Sequence, residues 1–253
     1  MTHYVDEIAY DAAGSGDPPL VFVHGWCCDR TYFAPQFRYF AARHAVIALD
    51  LRGHGESRGT GGTTEAFADD VLAVAAAPPA PPAPVVIGHS MGALVALACA
   101  ARPGAVRAAV LVDPAPILDG RGKAFFVRSL PDVASDHDGS WRARFTARMF
   151  RPTDSVRRDE TVAGISAAPL TTAVAGCKAI AEFDARAVLP RVHVPVLAIT
   201  AGEPEAGLAE RIADLTLGRT VGAGHFVQLE VPDQVNAMIE RFLTLLQDRE
   251  DVA

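Results

Sequence analysis

Five short apolar runs constrain the fold of this chain more than any other feature of its sequence. Each run is three to six residues long and consists of Val, Ile, Leu, Ala or Phe, apart from one proline in the last run. Because the hydrophobicity is continuous and does not alternate, we expect strands that are buried on both faces, as in a parallel sheet. The runs are residues 20–23, 46–49, 85–87, 108–112 and 194–199.

Stretches that are typical of helices lie between these runs or follow the last of them. They cover residues 63–76, 91–101, 208–215 and 232–246. Alternating strands and helices predict an α/β fold, in which a mostly parallel, twisted sheet is flanked by helices and joined by right-handed crossovers. The chain has 253 residues, of which 50% are hydrophobic, and is therefore long enough for one sizeable core.

The alternation stops between residues 118 and 187, where no buried-strand run occurs and aromatic residues recur among arginines at loosely helical spacing. We predict that 118–187 form a helical cap insertion and that 1–117 and 188–253 form the α/β core around it. Its aromatic side chains either close the insertion onto the sheet or line an apolar ligand cavity, and both interpretations stay open. These residues are Phe125, Phe126, Trp141, Phe145 and Phe150.

The charge balance argues against polyanionic partners. Lys and Arg total 23 against 30 Asp and Glu, and no long cluster of one sign occurs, so we expect no nucleic-acid binding.

No apolar run reaches the roughly 18 residues that a membrane helix needs, and the first residues do not resemble a secretion signal. The four cysteines lack C-x-x-C spacing. We therefore expect a cytoplasmic protein with reduced thiols, without membrane contact, acting on a small molecule.

Residues 88–92 read Gly-His-Ser-Met-Gly and match the pattern G-x-S-x-G between a buried run and a helix. A serine on a sharp, strained turn needs a glycine two residues away on either side, so that strand and helix can approach. The amides at the start of the following helix point towards any developing negative charge. Ser90 is therefore the predicted nucleophile.

A serine nucleophile needs a base, and the chain has eight histidines. His225 lies in the sequence Gly-Ala-Gly-His-Phe, just before the last predicted helix and on the carboxyl side of the sheet, where sites of α/β proteins gather. We predict that His225 is the general base. His24 and His54 follow strands in glycine turns and are predicted to be structural, while His89 is predicted to point away from the nucleophile.

Four motifs, taken together and in order, resemble the α/β-hydrolase fold superfamily, and the resemblance covers nearly the whole chain. They are His24-Gly25-Trp26, the segment from Asp50 to Ser57, the turn at Ser90, and Gly224-His225-Phe226. The resemblance implies an α/β-hydrolase fold with a helical cap. It also implies an oxyanion hole made by the backbone amides of Trp26 and Met91.

The resemblance further implies a third catalytic residue, an acid that follows either the sixth or the seventh strand. Asp113 directly follows the run 108–112. Glu205 lies only 20 residues before His225, at a place where the superfamily more often has an aspartate. We favour Asp113 and keep Glu205 as the alternative. Whichever acid serves must hold the imidazole tautomer and stabilise the imidazolium.

These residues predict a serine hydrolase that cleaves a small or medium hydrophobic carboxylic ester or lactone through an acyl-enzyme. The superfamily's haloalkane dehalogenases and epoxide hydrolases use an aspartate where this chain has Ser90. Three alternatives stay open: a carbon-carbon bond hydrolase, a cofactor-independent dioxygenase, which shares a Gly-Trp-Cys turn like residues 25–27, and a non-catalytic ligand receptor or signalling partner. No metal-ligand cluster or nucleotide-binding motif occurs, so neither a metal nor a cofactor is predicted.

Overall fold

The computed structural model describes residues 2–77, 83–151 and 155–250, and these form one eight-stranded sheet. The strands are β1 (Thr2–Val5), β2 (Ile8–Ala13), β3 (Leu20–Val23), β4 (Val46–Leu49), β5 (Val85–His89), β6 (Ala108–Val112), β7 (Val196–Thr200) and β8 (Leu215–Arg219). Their order in the sheet is β1-β2-β4-β3-β5-β6-β7-β8. The pairs β1–β2 and β2–β4 are antiparallel, and all other neighbours are parallel. The predicted mostly parallel sheet is confirmed.

Helices cover both faces of the sheet. They are α1 (Ala34–Phe40), α2 (Thr64–Ala75), α3 (Met91–Ala100), α4 (Gly120–Ala134), α5 (Ser140–Ala147), α6 (Ser155–Ala167), α7 (Leu170–Glu182), α8 (Ala185–Val188), α9 (Val227–Glu230) and α10 (Pro232–Glu250). One apolar core joins α2, α3 and α7 to the sheet, and a second core joins α1 and α10 to its other face. Among the described residues no single helix has both the length and the apolarity of a membrane span. Residues 157–167 and 170–182 meet that test only as a pair, bent by 100°.

The register of the parallel strands brings their carboxyl ends to one edge of the sheet. Val23 of β3 pairs with Gly88 of β5, and His89 of β5 pairs with Val112 of β6. Val112 in turn pairs with Ile199 of β7. The residues that follow these strands therefore meet above the same edge, which is where ligand sites of α/β sheets form.

One predicted helix is wrong, and three strands have no counterpart among the predicted apolar runs. Residues 208–215 form turns and not a helix, and Leu215 already belongs to β8. A single turn closes here through the hydrogen bond of 3.1 Å from Ile212 N to Leu208 O. Leu208 and Ile212 are both buried, so apolar residues recur four positions apart, as they do on one face of a helix. The strands β1, β2 and β8 gave no continuous apolar run, because many of their residues are exposed or only half-buried.

The predicted cap insertion contains α4 to α7, between β6 and β7. A buried ion pair stabilises it from within: Arg142 Nε lies 2.8 Å from Asp136 Oδ2, and the two side chains are 2% and 1% exposed. Phe150 and Cys177 of the insertion share one apolar core with Trp26 of the α/β core. The insertion thus packs over the carboxyl edge of the sheet. Its division from the core at residues 118 and 187 stays a prediction.

Candidate active site

Ser90 lies on the sharp turn between β5 and α3. Its backbone has φ 53° and ψ −113°, a left-handed conformation that is costly for any residue except glycine. Three hydrogen bonds hold this conformation: Ser90 N donates to Val112 O (3.0 Å), and Ser90 O accepts from Ala93 N (3.1 Å) and Ala115 N (3.2 Å). The surrounding backbone therefore fixes the serine at the carboxyl edge of the sheet.

The two glycines that flank Ser90 are required by close backbone packing. A Cβ atom at Gly88 would overlap the carbonyl group of Gly92. A Cβ atom at Gly92 would overlap the carbonyl oxygens of Val23 and His24, at the end of β3. The predicted reason for the glycines, close approach of strand and helix, matches this geometry.

We expect Gly92→Ala to lower the free energy of unfolding by about 3 kcal/mol, because α3 must then move away from β3. Gly120→Ala is the matched control, since a Cβ atom there meets nothing within 4 Å. That control should change the free energy of unfolding by less than about 1 kcal/mol. Urea unfolding of both variants checks the difference, and equal midpoints would contradict the packing described.

His225 is oriented by a carboxylate from the end of β6. Its Nδ1 lies 2.6 Å from Asp113 Oδ2. The other oxygen of Asp113, Oδ1, accepts a hydrogen bond of 2.8 Å from the backbone of Ala201, just after β7. Because an ionised carboxylate only accepts, Nδ1 carries a hydrogen and donates a hydrogen bond to Asp113. In the neutral imidazole the second ring nitrogen, Nε2, is then an acceptor, which is the state that a general base needs.

Backbone hydrogen bonds fix the loop that carries His225. His225 N donates to Met149 O of the cap insertion at 2.8 Å, and its carbonyl oxygen lies 3.0 Å from His89 Nε2. The Glu230 carboxylate accepts from Gly224 N at 3.0 Å and from Phe226 N at 3.1 Å. The position of the imidazole therefore depends on contacts with both the core and the insertion.

Glu205, the alternative acid, has a different role in the structure. Its Oε2 accepts from Ile117 N at 3.0 Å, and its Oε1 accepts from Leu118 N at 2.7 Å and from Asp119 N. The carboxylate thus holds the chain where the cap insertion begins. In the part of the chain that the structure describes, Asp113 and not Glu205 lies within hydrogen-bond distance of His225.

Trp26, which follows β3, is held by the cap insertion through its side chain. Its indole Nε1 donates to Ala173 O of α7 at 2.8 Å. Its ring packs edge-on against Trp141 and Phe145 of α5, at centroid distances of 6.4 and 5.9 Å. Met91 begins α3 and is fully buried. The oxyanion hole formed by these two backbone amides stays a prediction.

Ser90 and His225 line one small cavity of about 20 Å³. This volume corresponds to about one water molecule. Most of the other walls come from the turn after β3, the cap insertion and the loop before α9, and they are largely apolar. These wall residues are Trp26, Thr146, Met149, Ile165 and Phe226.

Three further histidines are buried in the α/β core, and burial lowers the pKa of each. The pKa of His24 is lowered to about 4, and its Nε2 accepts from Leu51 N at 3.0 Å. The pKa of His54 is lowered to about 3. Burial also lowers the pKa of His89, whose ring centroid lies 4.7 Å from that of His225. His89, predicted to point away from the nucleophile, lines the same cavity as Ser90, and its Nε2 bonds the carbonyl oxygen of His225.

Comparison with known proteins gives consistent matches over almost the whole chain. Residues 20–238 match the model of the alpha/beta hydrolase family. A pimeloyl-[acyl-carrier protein] methyl ester esterase of Xanthomonas campestris pv. campestris is 30% identical, over 93% of this chain and 98% of that protein. A thermophilic esterase from Thermogutta terrifontis is 26% identical with a TM-score of 0.80, over 94% of this chain and 93% of that one. An enol-lactonase from Burkholderia xenovorans LB400, 23% identical with a TM-score of 0.83, shares the fold over 96% and 100% of the two chains.

Proposed function

The chain belongs to the alpha/beta hydrolase family and is a carboxylic ester hydrolase, and we propose that it acts through Ser90, His225 and Asp113. The observation that carries this proposal is the 2.6 Å contact between His225 Nδ1 and Asp113 Oδ2, beside a cavity that His225 shares with Ser90. A serine nucleophile, an imidazole base and a carboxylate that orients the imidazole are the three groups that acyl transfer through a triad requires.

In the proposed reaction, Ser90 Oγ attacks the ester carbonyl while His225 Nε2 takes its proton. The tetrahedral intermediate collapses, the alcohol leaves with the proton that His225 returns, and an acyl-enzyme remains. Water then attacks the acyl carbonyl with His225 as base, the bond to Ser90 breaks, and the carboxylic acid is released. Asp113 keeps the proton on Nδ1 and stabilises the imidazolium that forms twice in each cycle.

The developing oxyanion would be bound by the backbone amides of Trp26 and Met91. Met91 is the first residue of α3, so its amide lies at the positive end of the helix dipole. The hydrogen bond from the Trp26 indole to Ala173 supports the position of the second amide. Preorganised donors of this kind are worth about 10²- to 10³-fold in rate each.

For the substrate we propose a small or medium hydrophobic ester or lactone. The support is the apolar wall formed by Met149, Ile165 and Phe226 around the reacting groups. The Xanthomonas relative is by its name a methyl ester esterase, which makes methyl esters the first natural class to test. A cavity of about 20 Å³ is far smaller than an ester. We therefore propose that the cap insertion shifts to admit the substrate.

The experiment that tests this function measures hydrolysis of p-nitrophenyl esters from acetate to octanoate. We expect saturable turnover, with kcat/KM passing through a maximum along the series, because the apolar wall favours chains that it can cover. The position of the maximum gives the size of the acyl pocket. No turnover by a folded protein would contradict the proposal and would favour carbon-carbon cleavage, oxygenation or a receptor role.

A further inference from the structure

A threonine of the cap insertion lines the same cavity as the proposed nucleophile and base, and its hydroxyl makes no hydrogen bond to any part of the chain that the structure describes. Thr146, on α5, lines the same cavity as Ser90 and His225 and is 1% exposed. Its Oγ1 atom is buried and has no hydrogen-bond partner among the residues that the structure describes. Within a helix, a threonine hydroxyl commonly bonds a carbonyl of the preceding turn, and here it does not.

This unpartnered hydroxyl needs a physical explanation. A buried polar group without a hydrogen bond costs about 1–3 kcal/mol, so a valine of the same shape would suit a purely structural position better. Met149 and Ile165, the other residues that the insertion contributes to this cavity, are apolar. One hydroxyl in an otherwise apolar wall indicates a contact with something that enters the cavity.

Most of the polar atoms on the other side chains of the cavity are occupied elsewhere or belong to the reaction. Cys28 Sγ donates to Trp26 O at 3.4 Å, and His89 Nε2 bonds the His225 carbonyl at 3.0 Å. The other ring nitrogen of His89, Nδ1, is buried without a hydrogen-bond partner among the described residues, and it faces Gly25, at 3.0 Å from the position of a Cβ atom there. Besides Ser90 and His225, the polar atoms available to a molecule in the cavity are therefore Thr146 Oγ1 and His89 Nδ1, and of these two only Thr146 belongs to the cap insertion.

The size of the cavity indicates which molecule enters it. About 20 Å³ holds one water molecule, and a buried water needs two to four polar partners. Once Ser90 is acylated, its oxygen is part of an ester and is a poor partner. A water that attacks the acyl carbonyl then needs an anchor besides His225, and Thr146 is in place to provide it.

We propose that Thr146 is a catalytic residue of deacylation, which binds the hydrolytic water; this rests on the acyl-enzyme mechanism proposed above. The water donates one hydrogen to Thr146 Oγ1 and gives the other, as a proton, to His225 Nε2. Its oxygen forms the new bond to the acyl carbon. The bond from that carbon to Ser90 Oγ then breaks, and His225 returns the proton to Ser90.

The same geometry assigns Thr146 to the second half of the reaction and not to the first. α5 belongs to the cap insertion, which must shift before an ester can enter a cavity of water size. During acylation Thr146 is thus displaced with the insertion. It moves back towards Ser90 and His225 once the alcohol has left, and the insertion then stays displaced only by the volume of the acyl group.

The test compares Thr146→Val, which keeps the shape and removes the hydroxyl, with Thr146→Ser, which keeps the hydroxyl. Each full-length protein is mixed rapidly with a p-nitrophenyl ester, and acyl-enzyme decay is followed by intact mass after acid quench. We expect Thr146→Val to slow decay by about 10- to 50-fold, the range of one lost hydrogen bond to a reacting group. KM should fall with kcat, so that kcat/KM stays unchanged, and acyl-enzyme should accumulate. Thr146→Ser should restore most of the rate.

Two results would overturn the assignment to water. An unchanged decay rate in Thr146→Val, and in Thr146→Ala as a second hydroxyl-free variant, would show that the hydroxyl is unused. A loss confined to kcat/KM, without accumulation, would place Thr146 against the entering ester. A wild-type protein that forms no acyl-enzyme at Ser90 would instead refute the proposed function itself, so the two failures are distinguishable.

Discussion

Replacing Ser90 with alanine is expected to abolish ester hydrolysis, with a loss of about 10⁴-fold or more in kcat/KM, while the protein stays folded. The change removes the hydroxyl oxygen that forms the acyl-enzyme in the proposed mechanism. It leaves the backbone contacts intact, because Ser90 N and O make the hydrogen bonds that hold the turn. Alanine has the same Cβ atom as serine, so the strained φ of 53° adds little new cost.

The measurement is steady-state hydrolysis of the best p-nitrophenyl ester by wild type and Ser90→Ala, with urea unfolding of both. Ser135→Ala is the matched control, because Ser135 is an exposed residue at the end of α4. The control should keep wild-type activity. Undiminished hydrolysis by a purified Ser90→Ala protein would refute the acyl-enzyme mechanism at Ser90, although it would leave the protein an esterase.

The fold could be predicted from the sequence where hydrophobicity alone determines the position of a strand. The strands β3 to β7 are buried on nearly every residue, so their continuous apolar runs marked them within one or two residues. The strands β1, β2 and β8 lie at the two sides of the sheet, and their half-exposed residues gave no such signal. The predicted α/β-hydrolase fold and family are confirmed by the family match and the solved structures.

Some residues of the candidate site could be predicted from their neighbours in the sequence, and others depend on contacts that form only in the folded protein. Ser90 was recognisable because its glycines and its place between strand and helix are properties of adjacent residues. The choice between Asp113 and Glu205 was not, because it depends on which carboxylate the folded loops bring to His225. Thr146 gave no signal at all, since a single threonine in a helix is ordinary until its hydroxyl is found unpartnered beside Ser90.

That choice of acid leads to the second large effect: Asp113→Asn is expected to lower kcat by about 10³- to 10⁴-fold. Asp113 Oδ1 accepts from Ala201 N at 2.8 Å, so the oxygen of an asparagine would stay on that side. Its NH₂ group would then face His225 Nδ1 in place of Oδ2. An amide NH₂ only donates, so Nδ1 would lose its proton and Nε2 would carry it. Nε2 could no longer accept the proton of Ser90, and the imidazolium would lose its counter-charge.

Glu205→Gln is the matched control, because it removes the same charge from the alternative acid. Glu205 accepts from the backbone amides of Ile117, Leu118 and Asp119, so glutamine would turn an NH₂ group towards one or more donors. We expect a loss of about 1 to 3 kcal/mol in the free energy of unfolding, with kcat within a few-fold of wild type. Measuring kcat and the free energy of unfolding of both variants therefore distinguishes a catalytic role of either carboxylate from a structural one. Equal, small losses of kcat would contradict both as triad acid, and a large loss confined to Glu205→Gln would reverse the assignment.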